Sequence, residues 1–191
     1  RRWFIRRRWC KRKLVKTVKQ LAVNLIQGLY IILNSYNMSR KNFISEYLTD
    51  ESLDSITKAI GEIEKRSSGE IRICMKKKMG YLERKKPVRD LALKQFFDLK
   101  MINTKDRTGI LIYLIFEDRK FEIIADEGIN SKISQDHWND ISDKIKAHFS
   151  EKKYSDGILH CIGKVGEILI SEFPVKDDDK NELPNDIIFN P

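Results

Sequence analysis

The sequence predicts an α/β domain, a three-layer α/β/α sandwich built on a small mixed sheet with a βαββ core and helices on both faces. Three observations carry this. Ile110 to Phe116 is an unbroken apolar run of seven residues, the mark of a strand buried on both faces. A polar break, Glu117-Asp118-Arg119-Lys120, then separates it from Phe121 to Ala125, so the two form a hairpin. Each helical stretch around them has one apolar face only, and a two-sided strand needs such faces above and below it.

Taken in order, the first helix starts at Thr49, a residue type that caps N-termini, with Asp50 and Glu51 in the first turn where the helix dipole favours anions. Leu53, Ile56, Ile60 and Ile63 give its inner face, and Ser67-Ser68-Gly69 ends it. Glu70 to Met75 alternates as a strand, and Lys76-Lys77-Lys78-Met79-Gly80 leaves it as a solvated basic loop. Pro87 suits the first turn of a second helix running to about Met101, with Val88, Leu91, Ala92, Phe96 and Leu99 inward. The strand, this helix and the central strand make a βαβ unit, hence a parallel pair. Two more helices close the domain. Ser134 can cap the first, with Trp138, Ile141, Ile145 and Phe149 inward; Ser155-Asp156-Gly157 opens the second, with Ile158, Ile162, Val165, Leu169 and Phe173 inward. Gly163 and Gly166 are expected to allow close packing there, and Pro174 to stop the helix.

Three segments follow from this: a basic and apolar extension at 1–37, the domain at 43–174, and an acidic tail at 175–191 expected to be irregular. The formal charge of +9 is unevenly placed. Residues 1–37 hold ten Lys and Arg and no acid, leaving 27 basic against 28 acidic groups elsewhere. A nucleic-acid-binding face is therefore not expected on the globular part. The extension combines an Arg-rich start with an apolar stretch, Leu21 to Leu33, that is too short for a bilayer span. Two readings stand: a membrane-surface anchor, or a read-through upstream of Met38, which would suit a cytoplasmic protein. Membrane contact is expected through this segment alone. Cys10, Cys74 and Cys161 are widely spaced, without a disulfide or zinc pattern; Cys74 and Cys161 read as buried thiols.

The ordered set Ser67-Ser68-Gly69-Glu70-Ile71-Arg72, Arg107-Thr108-Gly109-Ile110-Leu111-Ile112-Tyr113-Leu114, Glu117 to Ile129, and His148-Phe149 through Tyr154-Ser155-Asp156-Gly157-Ile158 resembles the TPM domain family, in its short single-domain bacterial branch. The resemblance implies an α/β/α fold, a bound Ca²⁺ or Mg²⁺ near acidic sheet ends, and either an accessory role with a protein partner or a metal-dependent acid phosphatase activity. Two departures stand out: Arg107-Thr108-Gly109 replaces the family's Asn-Gly after Asp106, and Asp126-Glu127-Gly128 replaces its Gly-x-Gly.

Hairpin geometry places the start of one strand beside the end of the other. It therefore groups Asp106, Asp126 and Glu127 as the first-choice metal ligands, completed by Asp136, and sends Glu117 and Asp118 to the opposite end as a second choice. The run Asp177-Asp178-Asp179 reads as a soluble tail. His137, His148 and His160 mark no ligand pair and no activated nucleophile, so catalytic residues are not assigned.

Overall fold

A computed structural model describes residues 25, 27–28, 43–175 and 187–190. The expectations for the 1–37 extension, Cys10 and Asp177-Asp178-Asp179 lie outside the described residues, save three helical positions, Leu25, Gln27 and Gly28. The chain separates into two compact units, Arg1–Lys41 and Asn42–Pro191, and everything below belongs to the second. Among the described residues no helix is long and apolar enough to cross a membrane.

The sheet has four strands in the order β3-β2-β1-β4, with β1 Glu70–Lys76, β2 Gly109–Ile115, β3 Lys120–Ala125 and β4 Ile188–Asn190. β1 pairs in parallel with β2, from Glu70 opposite Gly109 to Lys76 opposite Ile115. β2 and β3 form the expected antiparallel hairpin, from Ile110 opposite Ala125 to Ile115 opposite Lys120. One strand was not legible in the sequence. Ile188–Asn190, placed in the irregular tail by composition, adds to the far side of β1 in parallel. Three residues are too few to show a period.

The helices are α1 Asp50–Glu64, α2 Val88–Asp98, a short α3 Glu127–Asn130, α4 Gln135–Ser150 and α5 Tyr154–Glu172. They cover the sheet unequally. Ile56, Ile60 and Ile63 of α1, Ile141 and Ile145 of α4, and Ile158, Ile162, Val165 and Leu169 of α5 form one core with Ile71, Ile73, Ile110, Ile112 and Leu114. On the other face α2 works alone: Leu91, Ala92 and Phe96 pack on Cys74, Leu111, Tyr113 and Ile124. The three-layer sandwich is thus present, and β2 is buried along its whole length.

Several boundaries differ from the sequence expectation for definite reasons. β1 does not alternate between buried and exposed: Glu70 through Met75 are all buried, because α2 covers the face that a two-layer domain would leave wet. Arg72 is 8% exposed and its Nη1 donates to the Leu99 carbonyl at 3.2 Å. α2 stops at Asp98 rather than Met101, because Lys100 takes a left-handed φ of 58°; Met101 still reaches the core. Thr49 caps α1 as expected, accepting from the Ser52 N–H at 3.2 Å. Ser134 sits at the α4 N-cap without making that bond. Of the three glycines on α5, Gly157 packs closely against Phe149 and His148, Gly163 has open space around it, and Gly166 is the tightest. A Cβ there would lie 2.4 Å from Ile63 Cδ1, whereas one at Gly163 meets nothing within 4 Å.

Candidate functional site

Two regions of the sheet concentrate polar chemistry: the end where β1 and β2 begin and β3 finishes, and the outer edge of β3.

The first holds the first-choice acids. The topology divides the carboxylates into two ends as hairpin geometry requires. Asp126 donates its N–H to the Gly109 carbonyl at 2.9 Å and Gly128 donates to Arg107 O at 3.1 Å, so the segments around 106 and 126 lie side by side. Asp126 is 6% exposed and caps α3. Its Oδ1 accepts from the Glu127 N–H at 2.8 Å and from Arg107 Nη2 at 2.8 Å, and its Oδ2 from Arg107 Nε at 2.8 Å. This is a forked guanidinium–carboxylate pair, the strongest neutralising geometry available to a carboxylate. Asp126 in turn raises the Arg107 pKa, chiefly through these hydrogen bonds.

The loop that carries Arg107 is fixed. Arg107 has a left-handed φ of 56°, Thr108 N donates to Thr104 Oγ1 at 2.9 Å, and Thr108 Oγ1 donates to Ser68 O at 2.8 Å. Gly128 is obligatory against this loop, since a Cβ would lie 2.3 Å from Asp106 O and 2.8 Å from Arg107 O, both backbone atoms.

The remaining acids do not join Asp126 in a cage. Glu127 is exposed in the first turn of α3, and Asp136 is exposed in the first turn of α4. Asp106 is half-buried. Among the described residues no three His, Cys, Asp or Glu side chains converge as metal ligands. Ca²⁺ asks for about six to eight oxygens and Mg²⁺ for an octahedron. With both Asp126 oxygens already engaged, the donor set as placed does not fit either ion. At the turn end, Asp118 Oδ2 accepts from the Met79 N–H at 2.6 Å and Glu117 pairs with Lys77 at 3.6 Å. These acids tie the hairpin turn to the loop after β1, and Lys76 of the basic run pairs with Glu83.

The acid end also holds a carboxylate that sequence reasoning missed. Glu64, at the end of α1, accepts from the Ile71 N–H at 3.1 Å through Oε1, while Oε2 is buried without a partner among the described residues. Burial pushes its pKa up to about 8. Only its place at a helix end facing a strand start could have revealed this.

The histidines and thiols offer little chemistry. His137 Nδ1 lies 2.8 Å from Ser134 Oγ in one exposed helical turn, which explains why Ser134 does not cap. Burial pushes the Cys74 and Cys161 thiols up to about 12, far from the reactive thiolate range.

The second region was not foreseen. β3 is an edge strand. Since Asp126 bonds to Gly109, antiparallel alternation turns Ile124, Glu122 and Lys120 toward β2 and points the backbone groups of Phe121, Ile123 and Ala125 outward. The outward Ala125 carbonyl is taken by Asn130 Nδ2 at 2.6 Å; the stretch before it has no strand partner among the described residues. A cavity of about 740 Å³ runs along this edge, walled by Val88 and Arg89 of α2 on one side and by Trp138, Asn139, Ser142 and Lys146 of α4 on the other. The Trp138 indole N–H is buried there without an acceptor among the described residues. A smaller cavity of about 290 Å³ shares Arg119, Phe121 and Lys146 with the first and adds Phe116, Phe149, Lys152 and Tyr154. No single residue pattern in the sequence announces a groove made by three separate elements.

Comparison with known proteins bears on the family and the fold. A family model described as the TPM domain matches residues 44–168. Among solved structures, the NMR structure of the BA42 protein from the psychrophilic bacterium Bizionia argentinensis is 40% identical, with a TM-score of 0.67, covering 76% of this chain and 97% of that one. The N-terminal domain of a protein from P. gingivalis is 19% identical, with a TM-score of 0.55, covering 66% of this chain and 79% of that one. The N-terminal domain of the cg2496 protein from Corynebacterium glutamicum is 10% identical, with a TM-score of 0.51 and coverage of 73% and 85%. The last two show the fold alone. Among curated proteins nothing matches.

Proposed function

The chain belongs to the TPM domain family, and from that premise we propose that its domain is a non-catalytic interaction module that receives an extended segment of a partner polypeptide along the outer edge of β3. The observation that supports this reading is the groove: a 740 Å³ cavity whose floor is an unpaired strand edge and whose walls are two helices. An open edge offers a row of backbone donors and acceptors, and strand addition uses them for affinity while flanking pockets select side chains.

The Ca²⁺ or Mg²⁺ that the family resemblance implies is not part of this proposal, because Arg107 already neutralises the one buried acid of the first-choice set. The phosphatase reading has less support still. Hydrolysis needs an activated nucleophile or a metal-held water, the thiols are buried, and Asp126 is engaged by Arg107.

The test is a proton–nitrogen NMR titration of the whole chain with a panel of short β-forming peptides. Shifts centred on the amides of Phe121 and Ile123 and on the Trp138 indole are expected. Shifts centred on α1 or on the acid end around Asp126, with β3 unmoved, would overturn the proposal.

A further inference from the structure

The edge groove does not have two equivalent ends. At the Ala125 end Asn130 occupies the outward carbonyl, so that acceptor is already used. At the Lys120 end the groove opens into the 290 Å³ cavity, whose wall is aromatic and whose charged groups are all of one sign. Phe116, Phe121, Phe149 and Tyr154 line it, with Phe121 and Phe149 centroids 6.4 Å apart and Phe149 and Tyr154 5.2 Å apart. Arg119, Lys146 and Lys152 also line it, with no acidic side chain among the lining residues.

These cations are free to meet an anion. Arg119 and Lys152 make no ion pair with a described residue. Among the described residues Lys146 pairs with Asp143, with both side chains more than 60% exposed, an arrangement that contributes little and exchanges easily. Arg119 and Lys152 both hold left-handed backbone, φ 51° and 59°, in the two turns that flank the cavity, the β2–β3 turn and the α4–α5 turn.

A site with three cations, an apolar aromatic wall and a strand edge leading into it fits one chemistry above others. We infer that the cavity at the Lys120 end of β3 takes the carboxy-terminal residue of a partner polypeptide. Its carboxylate sits among Arg119, Lys146 and Lys152, and its apolar side chain sits against Phe116, Phe121, Phe149 and Tyr154. The segment upstream then runs antiparallel to β3, away from the Lys120 end and toward Ala125, pairing with the outward groups of Phe121 and Ile123. A carboxylate gains from several charge-assisted donors at once, and a chain end avoids the steric conflict that a continuing chain meets where the groove closes into a pocket. This inference rests on the proposed edge interaction and names its partner.

The test uses two libraries of labelled heptapeptides, randomised at the last four positions and identical except that one ends in a free carboxylate and the other in an amide. Binding to the full chain is read by fluorescence polarisation. The free-acid library is expected to yield binders with apolar last residues, each weakened at least about tenfold as its amide. In the variant combining Arg119→Asn and Lys152→Asn, which keeps left-handed turns accessible, the free acid should lose most of its advantage over the amide while the amide is unchanged. Equal binding of acid and amide would overturn the terminal-carboxylate inference and leave edge binding standing. Failure of every peptide in both forms would overturn the edge reading and this inference together.

Discussion

The acid end and the β3 edge use the same kinds of groups to opposite effect. At the acid end the buried aspartate is spent internally: both Asp126 oxygens bind Arg107, the Glu127 amide adds a third bond, and the backbone of 106–107 presses on Gly128. At the edge, the outward groups of Phe121 and Ile123 and the Arg119 and Lys152 side chains are not spent on any described residue. A concentration of charge is therefore a poor guide to a binding site. What separates a site from a structural lock is whether the polar groups are spent internally, since satisfied buried groups stabilise and unsatisfied ones invite a ligand.

This comparison can be broken by substitutions whose effects differ in size. The largest effect is expected at Gly128. Gly128→Ala drives a methyl into two backbone carbonyls and should cost about 3 kcal/mol in a urea melt; an unchanged midpoint would mean the acid end is not locked. Next comes Asp126→Ala, which removes the α3 cap and the charged pair and should cost about 2 kcal/mol. If the end is locked by Arg107, millimolar Ca²⁺ or Mg²⁺ should move the melting temperature of the unaltered chain by no more than about 1 °C. A larger rise, abolished by Asp126→Ala, would restore the cation reading.

Glu64 supplies a prediction with a pH signature. Its folded pKa is raised by burial from 4.5 to about 8, so between those values the folded state holds a proton that the unfolded state has released. Folding stability contributed by this group is therefore complete below pH 4.5 and is lost as pH rises through about 8. Glu64→Gln keeps an acceptor for the Ile71 N–H and cannot ionise. It should flatten that decline and make the variant more stable than the parent at pH 8; parallel stability curves would show that Glu64 ionises normally.

The smallest effect on stability is expected at Ile123→Pro. Its N–H faces away from β2, so proline removes no ladder bond on this edge strand, and the melting temperature should fall no further than in Ile123→Ala, which removes the same core-packed side chain. Peptide binding along β3 should nevertheless disappear. A loss of stability well beyond that of Ile123→Ala would place Ile123 in the opposite register and undo the edge assignment.

The fold was largely legible in the sequence, and the places where it was not have physical causes. β2 announced itself because an unbroken run of Ile and Leu at strand length has no other easy home. The polar–apolar alternation of β1 marks the strand, but not that its polar face is covered: Glu70 and Arg72 look like surface residues, while in the fold both are buried. β4 is three residues long and follows an acidic segment, so it had no pattern to show. Gly163 and Gly166 look alike in sequence, but only Gly166 faces Ile63. The acidic residues were sorted correctly between the two sheet ends, because strand direction alone decides that. Their state was not legible: Arg107 and Asp126 are separated by 19 positions, and only the folded turn shows that one neutralises the other. The groove lay beyond sequence reasoning because its floor, walls and terminal pocket come from α2, β3, α4 and two turns.

The central claim, an open β3 edge that pairs with an added strand, is tested most directly by residue-resolved amide hydrogen exchange. In the free chain, Phe121 and Ile123 should exchange fast while Glu122 and Ile124 are protected by β2. On adding the tightest free-acid peptide, Phe121 and Ile123 should become protected as well. Slow exchange at Phe121 and Ile123 before any peptide is added, or no gain of protection when it is bound, would contradict the account.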